Sequence, residues 1–134
     1  MSESLKTTST PPILDLLHQS SEFVVVQKPS GVAVHRGWAP EKDVVMRRLR
    51  NQLDQWVWPI HRLDKGTSGA LLFALNRRMA RLLNELFQKR KVHKSYLALV
   101  RGIPEPEGLI DYAIPRSKKA SIQSQKIKTA LETA

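Results

Sequence analysis

The chain contains no cysteine and no long hydrophobic run. Without cysteine there can be no disulfide framework, no thiolate metal site and no cysteine nucleophile. No segment approaches the roughly 20 consecutive apolar residues that a membrane-spanning helix needs. The first 12 residues are rich in Ser and Thr and lack the apolar centre of a signal peptide. We therefore expect a cytoplasmic protein without a membrane partner.

Acidic residues are also scarce, because 12 Asp and Glu stand against 22 Lys and Arg, which gives a formal net charge of +10. The positive excess extends from Arg36 to Lys128. Nucleic acids are the natural partners of such a chain. Excess lysine can also serve only to keep a small protein in solution, so charge alone leaves both interpretations open.

The length of 134 residues, 41% of them hydrophobic, suffices for one modest domain of helices and strands and is too short for two independent cores. The composition predicts a disordered leader over residues 1–12. The folded domain is expected over residues 13–115, and a basic, poorly ordered tail over residues 116–134.

Five segments have the apolar pattern of β-strands. The two most apolar, residues 22–27 and 70–75, are expected to be buried, and the second to be central. Residues 95–100 alternate between two faces. The other two segments are short: residues 32–35 and residues 109–114.

Two helices are predicted from apolar residues that recur on one face. Asp43 is a suitable cap for the first, whose apolar residues are Val44, Val45, Leu49 and Leu53. Asn76 is a suitable cap for the second, whose apolar face is formed by Met79, Leu82, Leu83, Leu86 and Phe87. The pattern as a whole predicts an α+β fold.

A polar loop precedes the second buried strand, and Asp64 lies within it beside Arg62, Lys65 and Thr67. Cations and hydroxyl groups of this kind keep a carboxylate ionised, and an ionised carboxylate can act as a nucleophile. Residue types alone also allow a structural ion pair between Asp64 and Arg62. A metal site is not expected, because His61 and Asp64 have no further ligand at a suitable spacing.

Three motifs occur in the order found in one enzyme family. The string His61-Arg62-Leu63-Asp64-Lys65-Gly66-Thr67-Ser68-Gly69 is similar to the motif H-R-L-D-x-x-T-S-G of the RluA-type pseudouridine synthases. Lys28-Pro29-Ser30-Gly31 resembles the first motif of that family, and the segment from Lys94 to Gly102 resembles its K-x-Y-x-A-x-V-x-G strand. Val34-His35-Arg36-Gly37-Trp38 most resembles the tRNA uridine-65 branch, called TruC.

The resemblance implies an RNA uridine isomerase that needs no cofactor, with a mixed, mainly antiparallel sheet and flanking helices. It implies that Asp64 is the catalytic carboxylate, which starts cleavage of the glycosidic bond. Tyr96 corresponds to the active-site tyrosine that stacks on uracil and assists proton removal from carbon 5. Arg62 corresponds to the residue that fills the space left by the flipped nucleotide.

Structured RNA is the expected partner, with tRNA favoured over ribosomal RNA. His61, Thr67, Ser68 and Gly69 are expected to shape the loop. Trp38, Trp56 and Trp58 could stack on bases, although tryptophans among apolar neighbours more often belong to a core or its rim. The residues expected to contact RNA are Lys28, His35, Arg36, His61, Lys65, Lys89, Arg90 and Lys91.

The resemblance covers roughly residues 20–114, and the later family motif T-G-R-x-H-Q-I-R is not found. We therefore expect the N-terminal half of a catalytic domain, present as a fragment or as a truncated product. Half of a sheet exposes a strand edge, through which the chain could associate. The alternative function is that of a basic RNA-binding module without catalysis; a DNA-binding protein has little support.

Overall fold

The computed structural model describes residues 10–37 and 42–113 of the chain. The chain divides into two units, Met1–Ser95 and Tyr96–Ala134. All regular elements of the described residues lie in the first unit. In chain order they are β1 (Leu16–Gln19), β2 (Phe23–Lys28), α1 (Val45–Leu53), β3 (Trp58–Pro59), β4 (Gly69–Ala74) and α2 (Arg77–Gln88).

The four strands form one antiparallel sheet in the order β1-β2-β4-β3. β2 and β4 are paired along their whole length, from Phe23 opposite Ala74 to Lys28 opposite Gly69. They are the two strands that the most apolar segments predicted. The α+β prediction, with a mainly antiparallel sheet and flanking helices, is confirmed.

The hydrophobic core lies on one face of this sheet. Side chains alternate along a strand, so Val24 and Val26 of β2 point to the same face, and both are fully buried. Leu71 and Phe73 of β4 are buried with them. α1 contributes two fully buried side chains to the same cluster. They are Val45 and Leu49.

The start of α1 differs from the prediction in two ways. Val44, not Asp43, is the N-cap residue, and its side chain makes no capping hydrogen bond. The first helical amides donate instead to backbone carbonyls, from Val45 N to Ala33 O at 2.9 Å and from Met46 N to Val34 O at 3.0 Å. The predicted strand at residues 32–35 is therefore wrong, because two of its carbonyls serve the helix and not a neighbouring strand.

Asp43 takes a different role beside the helix. Its carboxylate accepts two hydrogen bonds from Arg48, at 2.7 and 2.6 Å, in a bidentate pair. These bonds lower the pKa of Asp43 and raise the pKa of Arg48. Asp43 therefore stabilises the start of α1 through its ion pair with Arg48 of the helix.

The prediction for α2 is confirmed at its N-terminus. The Asn76 side chain accepts a hydrogen bond from Met79 N at 2.8 Å. At the other end Arg90 N donates to Phe87 O, and Lys91 N donates to Leu86 O. This is the Schellman pattern, with Arg90 in the left-handed region at φ 53°, where glycine is the usual residue. α2 contacts β3 and β4.

The described part of the second unit, residues 96–113, contains no helix or strand. The strands predicted at residues 95–100 and 109–114 are therefore wrong as far as they are described. An alternating segment forms a strand only by pairing, and no strand of the described residues pairs with either segment. Leu97 and Leu99 are fully exposed. The predicted tail, residues 116–134, most of the leader, residues 1–9, and Trp38 lie outside the described residues.

The sheet has two edge strands, β1 and β3. β3 has only two residues, and Pro59 has no amide hydrogen to offer an added strand. Association through a sheet edge stays a prediction. Neither described helix is long and apolar enough to cross a membrane.

Candidate active site

The loop from residue 61 to residue 68 connects the edge strand β3 to the central strand β4. Its tip is a turn in which Thr67 N donates to Asp64 O at 3.0 Å. The side chain of Asp64 is exposed. Gly69 then enters β4 at φ 139°, a conformation that other residues rarely adopt. The carboxylate is thus presented to solvent by a short turn at the end of the sheet.

A buried lysine holds this turn from beneath. Lys28 ends β2 and is 0% exposed. Its ammonium donates to Lys65 O at 2.9 Å, to Thr67 O at 2.7 Å and to Pro29 O at 2.9 Å. An ammonium has three donors, so every donor is used. Two of these bonds fix the backbone directly after Asp64.

The next residues of the same segment add two more bonds to the Asp64 turn. The Ser30 hydroxyl donates to Gly66 O at 2.7 Å, and Gly31 N donates to Lys65 O at 2.8 Å. Gly31 has φ 86°, which favours glycine at this position. The carbonyls of three consecutive loop residues, 65 to 67, are therefore all bound by the segment of residues 28–31. We call this arrangement the clasp.

Lys28 is consequently not available to an RNA phosphate, and its prediction as an RNA contact is wrong. Burial lowers the pKa of the Lys28 ammonium, and the Asp64 carboxylate opposes that shift. The sequence held a signal for this role. Lys28 follows Val24 and Val26 at intervals of two residues, so strand alternation directs all three side chains to one face.

His61 occupies the other end of the loop. Its Nε2 accepts a hydrogen bond from Leu72 N at 3.1 Å. The ring stacks on Phe87 of α2, with centroids 5.1 Å apart and planes at 15°. Burial lowers the pKa of His61, the Lys94 charge lowers it further, and a hydrogen bond with the Arg62 backbone opposes both. The contacts favour the predicted loop-shaping role over contact with RNA.

Arg62 and Asp64 form no ion pair with each other among the residues that the structure describes. Both side chains are exposed. The alternative interpretation of Asp64 as one half of a structural ion pair with Arg62 is thereby not supported. Both groups lie at the surface of the loop, so within the described part of the chain the carboxylate and the guanidinium are accessible to a ligand.

The remaining basic candidates lie on the surface or close to it. Arg36, Lys65, Arg90 and Lys91 are exposed, and His35 is half-buried. Lys89 is exposed and pairs with Glu85 one turn away on α2, a contact of small energetic weight. Lys65 lies beside Asp64 in the turn. Their contacts with RNA stay predictions.

Two tryptophans, Trp56 and Trp58, follow α1 in the chain and contact each other. The Arg50 guanidinium covers one face of Trp56 at 3.5 Å from the ring centroid, and Trp58 meets Trp56 edge-on at 6.3 Å. Trp56 is more than half exposed. The Arg50 guanidinium is therefore packed on an aromatic ring, an arrangement that favours a cation. Base stacking by these rings stays a prediction.

Tyr96 is the first residue of the second unit, and its side chain is exposed. Its role stays a prediction. In the described ranges, 10–37 and 42–113, no three His, Asp or Glu residues are grouped so that they could hold a metal ion.

Residues 22–133 match the family described as RNA pseudouridylate synthase. The chain is 50% identical over 103 residues to tRNA pseudouridine synthase C of Haemophilus ducreyi, covering 75% of this chain and 42% of that protein. It is 45% identical over 106 residues to the protein of the same name in Vibrio parahaemolyticus, covering 78% and 43%. The chain thus spans less than half the length of these relatives.

A solved structure, Human RNA Pseudouridylate Synthase Domain Containing 1, superimposes with a TM-score of 0.49 at 30% identity. The superposition covers 57% of this chain and 28% of the human chain.

Proposed function

Because the chain belongs to the RNA pseudouridylate synthase family, we propose that it provides the catalytic aspartate of an enzyme that isomerises a tRNA uridine to pseudouridine. The observation that supports this most is the exposed Asp64 carboxylate on a turn whose backbone is bound at three consecutive carbonyls. A reacting group must be held within a fraction of an ångström to be effective, and the clasp supplies that rigidity.

The proposed reaction exchanges one bond of the nucleoside for another. The bond from ribose carbon 1′ to uracil nitrogen 1 breaks, and a bond from carbon 1′ to uracil carbon 5 forms. Carbon 5 loses its proton and nitrogen 1 gains one, so substrate and product have the same atoms and no redox partner is needed. Asp64 begins this exchange as an ionised carboxylate, acting as nucleophile or base.

Arg62 and Tyr96 complete the proposed machinery. A uridine stacked in folded RNA must leave the stack before a protein side chain can reach its ring. Arg62, exposed and two residues before Asp64, fills the position that the nucleotide leaves. Tyr96 stacks on the uracil and assists the removal of the proton from carbon 5.

The substrate proposed is tRNA, in the cytoplasm. The support is that the curated relatives quoted above are named as tRNA enzymes and that the net charge of +10 suits a polyanion. His35, Arg36, Lys65, Lys89, Arg90 and Lys91 are proposed to contact the phosphates.

The test is a single-turnover assay with tRNA whose uridines have tritium at carbon 5, because isomerisation releases that tritium to water. Asp64→Asn removes the charge and keeps the shape. We expect tRNA affinity within about twofold of wild type and product formation lowered by at least about 10³-fold, the scale typical of a lost catalytic nucleophile. Asp54→Asn is the matched control, because Asp54 is an exposed acid at the end of α1. It should release tritium at the wild-type rate.

Tritium release by Asp64→Asn at the wild-type rate would contradict the assignment. The competing function, an RNA-binding module without catalysis, is motivated by the net charge. It is favoured if the wild-type chain binds tRNA with a steep salt dependence and releases no tritium.

A further inference from the structure

The ladder of hydrogen bonds between β3 and β4 ends in an unusual way beside the Asp64 loop. Trp58 pairs with Ala74, and Pro59 pairs with Phe73. The next pair is begun by Ile60 N, which donates to Leu72 O at 3.2 Å. In a continued antiparallel ladder Leu72 N would return a bond to the Ile60 carbonyl. It donates instead to Nε2 of His61.

The exchange of a main-chain acceptor for the His61 side chain determines the residue at which the chain leaves the sheet. By accepting the Leu72 amide, the imidazole takes the place of a main-chain carbonyl, and the backbone is free to turn away one residue later. The ring is held on its other side by Phe87 of α2. His61, the first residue of the loop that presents Arg62 and Asp64, is therefore bound to both β4 and α2.

We propose that His61, as a neutral imidazole, is a positioning residue that fixes the path of the chain into the catalytic loop. The inference rests on the proposed function, because it assigns His61 a task in presenting Asp64. It acts through the backbone of Arg62 and makes no claim of contact with the reacting nucleoside. It also replaces the prediction that His61 contacts RNA.

The neutral state follows from the hydrogen bond. A nitrogen that accepts a bond from an amide cannot hold a proton, so protonation must break the contact with Leu72. Most of the surroundings act in the same direction. β4 has no ionisable side chain, Phe87 of α2 packs on the ring, and the Lys94 ammonium, 5.9 Å from the centroid of the Phe87 ring, disfavours a second positive charge. The hydrogen bond with the Arg62 backbone acts the other way and is the smallest of these influences on the pKa of His61.

The consequence for pH has a definite sign. Burial lowers the pKa of His61 below its ordinary 6.5, so the folded chain favours the neutral ring. The contribution of His61 to stability is then fully present above pH 6.5 and is lost as the pH falls through the lower pKa of the folded state. The geometry of the loop should be lost over the same interval.

The first experiment needs no RNA. Long-range proton–nitrogen NMR spectra of the full 134-residue chain report which ring nitrogen holds the proton and at what pH the ring titrates. We expect unprotonated Nε2 at pH 7 and titration of His61 below pH 6.5. A protonated Nε2 at pH 7, or titration above 6.5, would overturn the proposal whether or not the chain is an enzyme.

The second experiment compares two substitutions in the single-turnover assay. His61→Gln can keep an acceptor for Leu72 N without titrating, whereas His61→Phe keeps only the stacking on Phe87. We expect the wild-type rate to fall as the pH drops below 6.5 and the His61→Gln rate to stay level. His61→Phe should lose about tenfold in the maximal single-turnover rate at every pH with tRNA affinity little changed, on the scale of one lost hydrogen bond to a buried amide.

A purely structural role would lower the stability of both variants and leave the shape of the pH profile as in wild type, which would overturn the proposal. His18→Gln is the control, since His18 lies on β1 at the opposite edge of the sheet. It should keep the acidic decline. If the wild-type chain releases no tritium at any pH, the proposed function fails, and the NMR titration alone then decides the state of His61.

Discussion

RNA contacts were predicted for basic residues at two short turns of the first unit. They are Lys28 at one turn and Lys89, Arg90 and Lys91 at the other, and the structure gives the two turns different surroundings. The turn at the end of β2, residues 28–31, is part of the clasp, and its buried ammonium binds three backbone carbonyls. The turn after α2, residues 89–91, has three exposed basic side chains. We call the second the α2 turn. Lysine therefore stabilises the fold in the first turn and is exposed to solvent in the second.

The backbone of the two turns sharpens the contrast. Each contains a residue in the left-handed region, Gly31 at φ 86° and Arg90 at φ 53°. In the clasp the residue is glycine, which adopts this conformation without strain. In the α2 turn it is arginine, at a cost of about 1 kcal/mol.

The largest expected effect follows from replacing the lysine of each turn with methionine. Lys28→Met leaves the Thr67 and Pro29 carbonyls without their donor in a buried place, so we expect the free energy of unfolding to fall by about 3 kcal/mol. Lys91→Met, on the surface, should change it by less than about 0.5 kcal/mol. Urea unfolding followed by circular dichroism measures both. Equal changes in the free energy of unfolding would contradict the different roles assigned to Lys28 and Lys91.

For RNA affinity we expect the reverse, with Lys91→Met having a larger direct effect than Lys28→Met. Lys91→Met removes one cation from the proposed RNA surface, so the slope of log affinity against log salt should become less steep by about 0.7 to 0.9. Binding of tRNA measured at several salt concentrations tests this. An unchanged slope would remove Lys91 from the proposed interface.

A smaller effect is expected from exchanging the residue types at the left-handed positions. Gly31→Ala should lower the free energy of unfolding by about 1 to 2 kcal/mol, although no atom lies within 4 Å of the added Cβ. Arg90→Gly should raise it by about 0.5 kcal/mol while weakening binding to tRNA. Denaturant unfolding and RNA binding on the same samples separate the two effects. Loss of stability in Arg90→Gly would show that its side chain supports the fold.

Local patterns predicted the parts of the fold that local physics decides. The apolar segments of β2 and β4 and the Asn76 cap of α2 are confirmed, because burial and capping depend on residues close in sequence. The carbonyls of Ala33 and Val34 accept hydrogen bonds from α1 instead of from a strand, and their donors, Val45 and Met46, lie 12 positions further along the chain. The spacing of apolar residues does not indicate which amides these carbonyls will bind, so the strand predicted at residues 32–35 is wrong.

The candidate site was predictable in part for a similar reason. The motif indicated Asp64, and its exposure on a turn agrees with a role in chemistry. The clasp joins residues 34 to 39 positions apart, and the pairing of β2 with β4 brings them together. Alternation along β2 could have indicated a buried Lys28, whereas the acceptors of its ammonium could not be read from the sequence.

The rigidity of the Asp64 turn is tested most directly by amide hydrogen exchange in Lys28→Met. The Gly31 and Thr67 amides report the bonds to Lys65 O and Asp64 O, and the Ala80 amide of α2, which donates to Asn76 O, reports unfolding of the whole unit. If Lys28 anchors the turn, Gly31 and Thr67 will lose protection well beyond the change at Ala80. If all three amides change in step, Lys28 stabilises the fold as a whole and does not hold the catalytic turn.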